Sequence, residues 1–286
     1  MPAVTDSLGM LDAARSLPDQ VDAAARTAAA LTAPSELGAV SSVLLAASGD
    51  DATVARAVAA LATTTCRVPL VVREGGELPG FVGPDTLVVA VSWSGAEPDT
   101  LAVAREAATR GARLLVVGGG ALAALAADHG AAHLDVGADL PAARAAVAPA
   151  VVGLLSALAH VGLVDPALVP VEAVVEQLRR RLDELAGAAD PAARLARSVG
   201  RTLPIVYGAG PLGSVAAGHW KSRGNQDPKV PAFANSVPAL LHDEVAGWAQ
   251  HGDVTRQVFS VVMLRHDHEH PDDARAMDLV AELCEE

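Results

Sequence analysis

The stretch from Val88 to Thr100 constrains the fold more than any other part of the chain. A Val-rich run, Val88-Val89-Ala90-Val91, stops at Ser92-Trp93-Ser94-Gly95, and a helical pattern then runs from Thr100 to Arg110. An uninterrupted apolar run of this length marks a strand buried on both faces. The spacing therefore predicts a strand, a tight turn and a helix N-terminus. Such a junction gathers free main-chain N–H groups at the positive end of the helix dipole, a setting suited to phosphate or carboxylate. A second reading stands beside it: Ser94 as N-cap with Glu97 three residues on is a capping box, which satisfies those donors internally.

The same alternation recurs along the chain. Apolar residues at helical spacing run from Met10 to Leu31, with Pro18, Asp19 and Gln20 as a first turn. A strand over Val43 to Ala47 ends in Ser48-Gly49-Asp50-Asp51 and leads into a helix over Ala52 to Ala62. Further strands are expected over Val68 to Val72, Leu87 to Val91 and Leu114 to Val117, the last closed by Gly118-Gly119-Gly120. Strands alternating with helices imply a parallel sheet covered on both faces, with ligands outside the carboxyl ends of the strands. Asp139 to Leu163 reads as helical and apolar, Asp165-Pro166 as a break, and Val171 to Ala186 as an amphipathic connecting helix.

At Leu203 the pattern restarts. Leu203 to Tyr207 reads as a strand, Gly208 to Gly213 as a turn, Ser214 to Arg223 as a helix, Val258 to Leu264 as another strand and Pro271 to Glu286 as the last helix. The expected architecture is α/β, with two similar lobes, each a parallel sheet flanked by helices on both faces. The first lobe covers 1–165, the connecting helix 166–190 and the second lobe 191–286.

Composition narrows the function. The 286 residues are 51% hydrophobic and carry a net charge of -13, with no Lys/Arg cluster to offset it, which disfavours nucleic acid and anionic membranes as partners. A small ligand fits better. Aromatics make up only 2%, so Ala, Val and Leu must fill the cores. Cys66 and Cys284 lack metal-ligand spacing and fit a reducing cytoplasm. Met1 to Gln20 has no apolar block of a secretory signal. Ala145 to Val164 is uncharged and long enough to span a bilayer, but Pro149, Ser156 and His160 interrupt it, and a helix buried in the protein is expected instead.

Several weaker motifs remain. Gly208, Gly210 and Gly213 match the G-x-G-x-x-G dinucleotide fingerprint, yet Gly224-Asn225-Gln226-Asp227-Pro228-Lys229 reads as a loop where a second strand with an acidic end is needed. His266, His268 and His270 share one face of an extended segment, as a metal site would require, or form an exposed loop. His160 on its apolar helix reads as a core histidine. His242, flanked by Asp243 and Glu244, is an acid/base candidate or a structural cap.

Together these segments resemble the sugar isomerase (SIS) domain proteins, in particular the bifunctional phosphoglucose/phosphomannose isomerases and their actinobacterial relatives. Leu17-Pro18-Asp19-Gln20 is similar to the family's Leu-Pro-Glu-Gln, and Ser92-Trp93-Ser94-Gly95 to its Ser-Tyr-Ser-Gly-Asn-Thr phosphate loop. Gly119-Gly120 with Leu122 to Gly130 looks like its Gly-Gly-Lys-Leu helix, and Arg144 falls in its Pro-Arg-Ala-Ala. The most specific piece is Asn225-Gln226-Asp227-Pro228-Lys229-Val230-Pro231-Ala232-Phe233, followed by Pro238, His242-Asp243-Glu244 and Gly247-Trp248.

The resemblance implies two SIS-type lobes, a homodimer with shared active sites, and interconversion of aldose and ketose 6-phosphates through a cis-enediol without metal or organic cofactor. Carried over by position, Ser48, Ser92 and Ser94 hold the phosphate, Arg144 steadies the enediolate and His242 acts on the sugar ring. The sequence also departs from the pattern. The family's glutamate base falls on Gln226, whose amide cannot accept a proton, and the phosphate-loop threonine falls on Glu97. Ala46-Ala47 replaces a Gly-Gly, and the family's last strand-helix unit with its lysine is expected to be missing after Cys284-Glu285-Glu286. The other reading is a catalytically degenerate SIS-fold protein that binds a sugar phosphate or related carbohydrate derivative.

Overall fold

Each Val- and Leu-rich run is followed by a segment long enough to carry the chain back, so the strands pair in parallel. The computed structural model describes residues 6–32, 37, 39–137, 139–186, 191–248, 250 and 252–285. The chain divides into two compact units, Met1–Asp183 and Glu184–Glu286. Met1 to Thr5, the end of the expected connecting helix at 187–190, and Glu286 lie outside the described residues.

In the first unit α1 (Met10–Arg15) and α2 (Leu17–Ala29) precede β1 (Ser42–Ala47), α3 (Asp51–Ala62), β2 (Leu70–Arg73) and β3 (Thr86–Ser92). Then come α4 (Pro98–Thr109), β4 (Arg113–Gly118), α5 (Gly120–His129), β5 (Ala132–Leu134), α6 (Val147–His160) and α7 (Val171–Ala186). The strands form one parallel sheet in the order β2-β1-β3-β4-β5. Alternate residues face opposite sides. Val43, Leu45, Leu87, Val89 and Val91 pack with residues of α3 and α6, while Leu44, Ala46, Val88 and Ala90 pack with α4 and α5. Small residues bring the layers close: a side chain on Gly153 of α6 would start 3.3 Å from the Ala24 methyl of α2.

Three expectations for this unit need correction. The helix expected over Met10 to Leu31 is two helices, because Pro18 in an unbroken helix would clash with the carbonyl four residues back; α2 takes it in its first turn instead. The helical region expected over Asp139 to Leu163 is a 3-10 turn, Ala143–Ala145, and α6, whose first turn accommodates Pro149. His160 is an exposed residue at the end of α6, not a core histidine. No helix among the described residues is long and apolar enough to cross a membrane.

The second unit contains α8 (Pro191–Val199), β6 (Leu203–Ala209), α9 (Gly210–Gln226), β7 (Phe233–Val237), α10 (Leu240–Asp243), α11 (Val245–Trp248), α12 (Gly252–Val258), β8 (Phe259–Met263) and α13 (Pro271–Glu285). Its sheet is parallel, in the order β7-β6-β8. Tyr207, Ala209, Val237 and Leu240 pack with Met277 and Val280 of α13. The other face is pressed onto α9, where a side chain on Gly208 would start 2.1 Å from the Gly213 carbonyl oxygen.

That contact gives the glycine fingerprint a packing role. The expected turn over Gly208 to Gly213 is shorter than the pattern suggested, because α9 begins at Gly210, whose φ of 62° suits glycine. Asn225 and Gln226 end α9 instead of opening a loop. A strand, β7, does follow, but Pro238 comes after its last residue and no acidic residue stands there to hold a ribose.

Candidate functional site

The order β2-β1-β3 makes β1 and β3 a topological switch point. From β1 the chain passes to α3 on one face, and from β3 to α4 on the other, so the two connections part and leave a crevice at the carboxyl ends of the strands. Ala47 of β1 pairs with Val91 of β3, so Ser48 and Ser92 follow side by side. Ser92 falls on the α4/α5 side with Val88 and Ala90 and is completely buried. The Ser48 and Ser92 hydroxyls and that of Thr100, in the first turn of α4, are buried without a hydrogen-bond partner among the described residues. A buried polar group left unpaired costs about 1–3 kcal/mol, so three at one strand end call for an explanation.

The neighbouring loops are stitched together through their backbones. Trp93 carbonyl oxygen accepts from Gly119 N–H at 3.1 Å, and Gly95 carbonyl oxygen from Leu122 N–H at 3.2 Å. Gly118 has φ 125°, and a side chain there would start 1.8 Å from the Ser92 carbonyl oxygen, so only glycine fits. Ser94 is exposed, and its hydroxyl accepts from Ala96 N–H at 3.2 Å. This closes a short turn of its own and corrects the capping-box reading, since α4 starts later, with exposed Glu97 as N-cap and Pro98 as its first residue.

The residue that the sequence did not single out is Asp51, the first of α3. It is only 5% exposed, and its Oδ2 accepts the Trp93 main-chain N–H at 3.1 Å. Burial pushes its carboxyl up to about 6; the Trp93 hydrogen bond opposes the shift, and the charges of Glu97 and Asp50 add to it. Trp93 also donates its indole N–H to Gly137 carbonyl oxygen at 3.0 Å, which ties the segment after β5 to the same loop. Arg144 lies further along that segment, half-buried on the 3-10 turn.

In the second unit, Gln226 and His242 are both exposed. The Gln226 amide oxygen accepts from Arg223 at 3.2 Å, and Arg223 also bonds Asp227 at 3.1 Å. His242 sits on α10, just after β7. Next to it, Glu244 accepts from the Tyr207 hydroxyl at 2.7 Å and from the Asn235 amide at 2.9 Å, and that amide also reaches Asp243 at 3.0 Å. Trp248 indole N–H donates to the Tyr207 hydroxyl at 3.1 Å. The structure thus places Ser48, Ser92 and Ser94 around one strand end, and Gln226 and His242 in the other unit.

The histidines of the tail do not assemble into a metal site: among the described residues no group of three or more His, Cys, Asp or Glu could hold an ion. His268 N–H donates to His266 Nδ1 at 3.2 Å, as in a local turn. Cys66 and Cys284 are free thiols, and burial pushes that of Cys284 up to about 11.

The family profile of the bacterial phospho-glucose isomerase C-terminal SIS domain matches residues 188–286. That match falls within the second unit, Glu184–Glu286. It resembles a bifunctional phosphoglucose/phosphomannose isomerase from Caldicellulosiruptor bescii, with 26% identity over 96% of this chain and 82% of that one. A protein of the same name from Aquifex aeolicus is 28% identical over 70% of this chain and 59% of its own length. Among solved structures, the tagatose-6-phosphate ketose/aldose isomerase of Escherichia coli superposes with a TM-score of 0.68 at 18% identity, covering 99% of this chain and 80% of the other. At that identity the likeness is one of fold.

Proposed function

We propose that this chain binds hexose 6-phosphates and interconverts glucose 6-phosphate or mannose 6-phosphate with fructose 6-phosphate. The observation that carries the reading is the pair of buried hydroxyls of Ser48 and Ser92 at the β1/β3 switch point, which have no partner among the described residues. A phosphate oxygen there would supply the acceptors they lack. Ser94 at the rim would add a third contact. The names of the relatives, all isomerases of these sugars, support the same substrate class.

In such a reaction a base takes the proton from C2 of the open-chain aldose and the electron pair forms the C1–C2 double bond of a cis-enediol as the C1 oxygen is protonated; the C2 hydroxyl then gives up its proton to become the ketone carbonyl, and the C1–C2 pair takes the proton back at C1. Arg144 is assigned to the enediolate charge and His242 to ring opening. The order β7-β6-β8 repeats the β2-β1-β3 part of the larger sheet, which supports reading the units as two SIS-type lobes. A cytoplasmic homodimer with shared active sites belongs to the same proposal.

A second reading rests on Gln226. Its amide cannot act as a base, and it is held by Arg223 instead. Loss of a positioned general base is commonly worth about 10²–10⁴ in rate. On that reading the chain binds the sugar phosphate without isomerising it. A coupled assay for fructose 6-phosphate, run on the wild type, Gln226→Glu and His242→Ala, separates the two. Wild-type turnover that His242→Ala abolishes supports the isomerase; turnover in Gln226→Glu alone supports the binding protein.

A further inference from the structure

We propose that Asp51 is a specificity-determining residue of the β1/β3 crevice, which admits a phosphate group only together with a proton and turns away the fully ionised pair of carboxylate and dianion. The inference rests on reading that crevice as the phosphate site. Asp51 Oδ2 takes the Trp93 N–H, which lies between Ser92 and Ser94, so a donor that an anion would use is already committed to a carboxyl group. Two further carboxylates act on it, Asp50 beside it and Glu97 at the start of α4.

The elements packed on α3 do not offset this charge. β1, β3 and α6 contain no Lys or Arg. At the end of β2, Arg73 donates to Glu77 carbonyl oxygen at 3.0 Å and pairs with the Glu77 carboxylate at 3.6 Å. Arg56 of α3 itself pairs with Glu74 at 2.5 Å. Arg144, ahead of α6, has interactions of its own. Two negative groups held close together oppose each other's ionisation, so a dianion bound beside the Trp93 N–H would keep Asp51 protonated, which its enclosed position already favours.

Calorimetric titration of the full chain with glucose 6-phosphate and glucose 6-sulfate between pH 5.5 and 8 tests this. The sulfate ester keeps a single charge throughout, so its pH dependence reports the protein. For the wild type, affinity for both ligands falls with rising pH above about 6, by up to about tenfold per pH unit for one linked proton. In Asp51→Asn the sulfate ester binds equally across the range, and the phosphate retains only the dependence set by its own second ionisation. Glu97→Gln, a surface change, removes a charge that raises the Asp51 carboxyl, so it shifts the wild-type fall to lower pH and serves if Asp51→Asn does not fold. Equal pH slopes in wild type and both variants overturn the inference while leaving the phosphate site standing. No binding of either ester at any pH overturns both.

Discussion

The hydroxyl of Tyr207, completely buried in β6, donates to Glu244 Oε2 at 2.7 Å and so fastens the turn after α10 to the centre of the second sheet. The sheet can hold a phenol here because the same oxygen accepts from Trp248, leaving neither its proton nor its lone pair idle. Burial and the Glu244 carboxylate raise the Tyr207 pKa, so it stays a donor across the physiological range. The adjoining helix carries His242, and this link is what sets its position relative to the strands.

Tyr207→Phe leaves one Glu244 oxygen and the Trp248 indole N–H without their partner. The expected cost is about 1–3 kcal/mol, read by urea denaturation. A double-mutant cycle with Glu244→Gln should show a coupling above about 0.5 kcal/mol. Strict additivity would mean that the two side chains do not work as a pair.

Asp51 gives stability a pH dependence of unusual sign. Its folded pKa, about 6, lies above the ordinary 3.8, so the folded protein holds this proton more tightly than the unfolded chain. Its contribution is therefore full below about pH 4, and is lost as pH rises toward 6. Asp51→Asn, which keeps an oxygen for Trp93, should be more stable than wild type by roughly 3 kcal/mol at pH 7 and similar to it at pH 4. A difference that does not grow between those pH values would contradict the assignment.

Ser92→Ala separates a binding hydroxyl from a structural one. The hydroxyl has no partner among the described residues, so removing it should leave thermal stability unchanged or raise it by up to about 1 kcal/mol. Affinity for glucose 6-phosphate should fall by about tenfold or more, the worth of a hydrogen bond to a charged group. Lower stability with unaltered affinity would remove Ser92 from the ligand site.

The strands β1, β3, β4 and β6 were legible because each is an apolar run flanked by turn residues, and α7 because its charges keep one face. By contrast, β7 is Phe-Ala-Asn-Ser-Val with two exposed residues at its start, and β5 has only three residues, so neither carries a pattern to read. Ser48 and Ser92 could be named from the turns that they open. Asp51 could not, since nothing local distinguishes it from Asp50.

By itself the sequence determined the parallel α/β character, the positions of the serine and glycine turns, and the chemical doubt at Gln226. Hydrophobic runs and turn residues act over a few neighbours, and such information survives in a linear string. Only tertiary structure decided that Asp51 meets Trp93 across 42 residues and Tyr207 meets Glu244 across 37. The ionisation of a buried carboxyl depends on which groups surround it in space, and strand order, not sequence distance, fixes those neighbours.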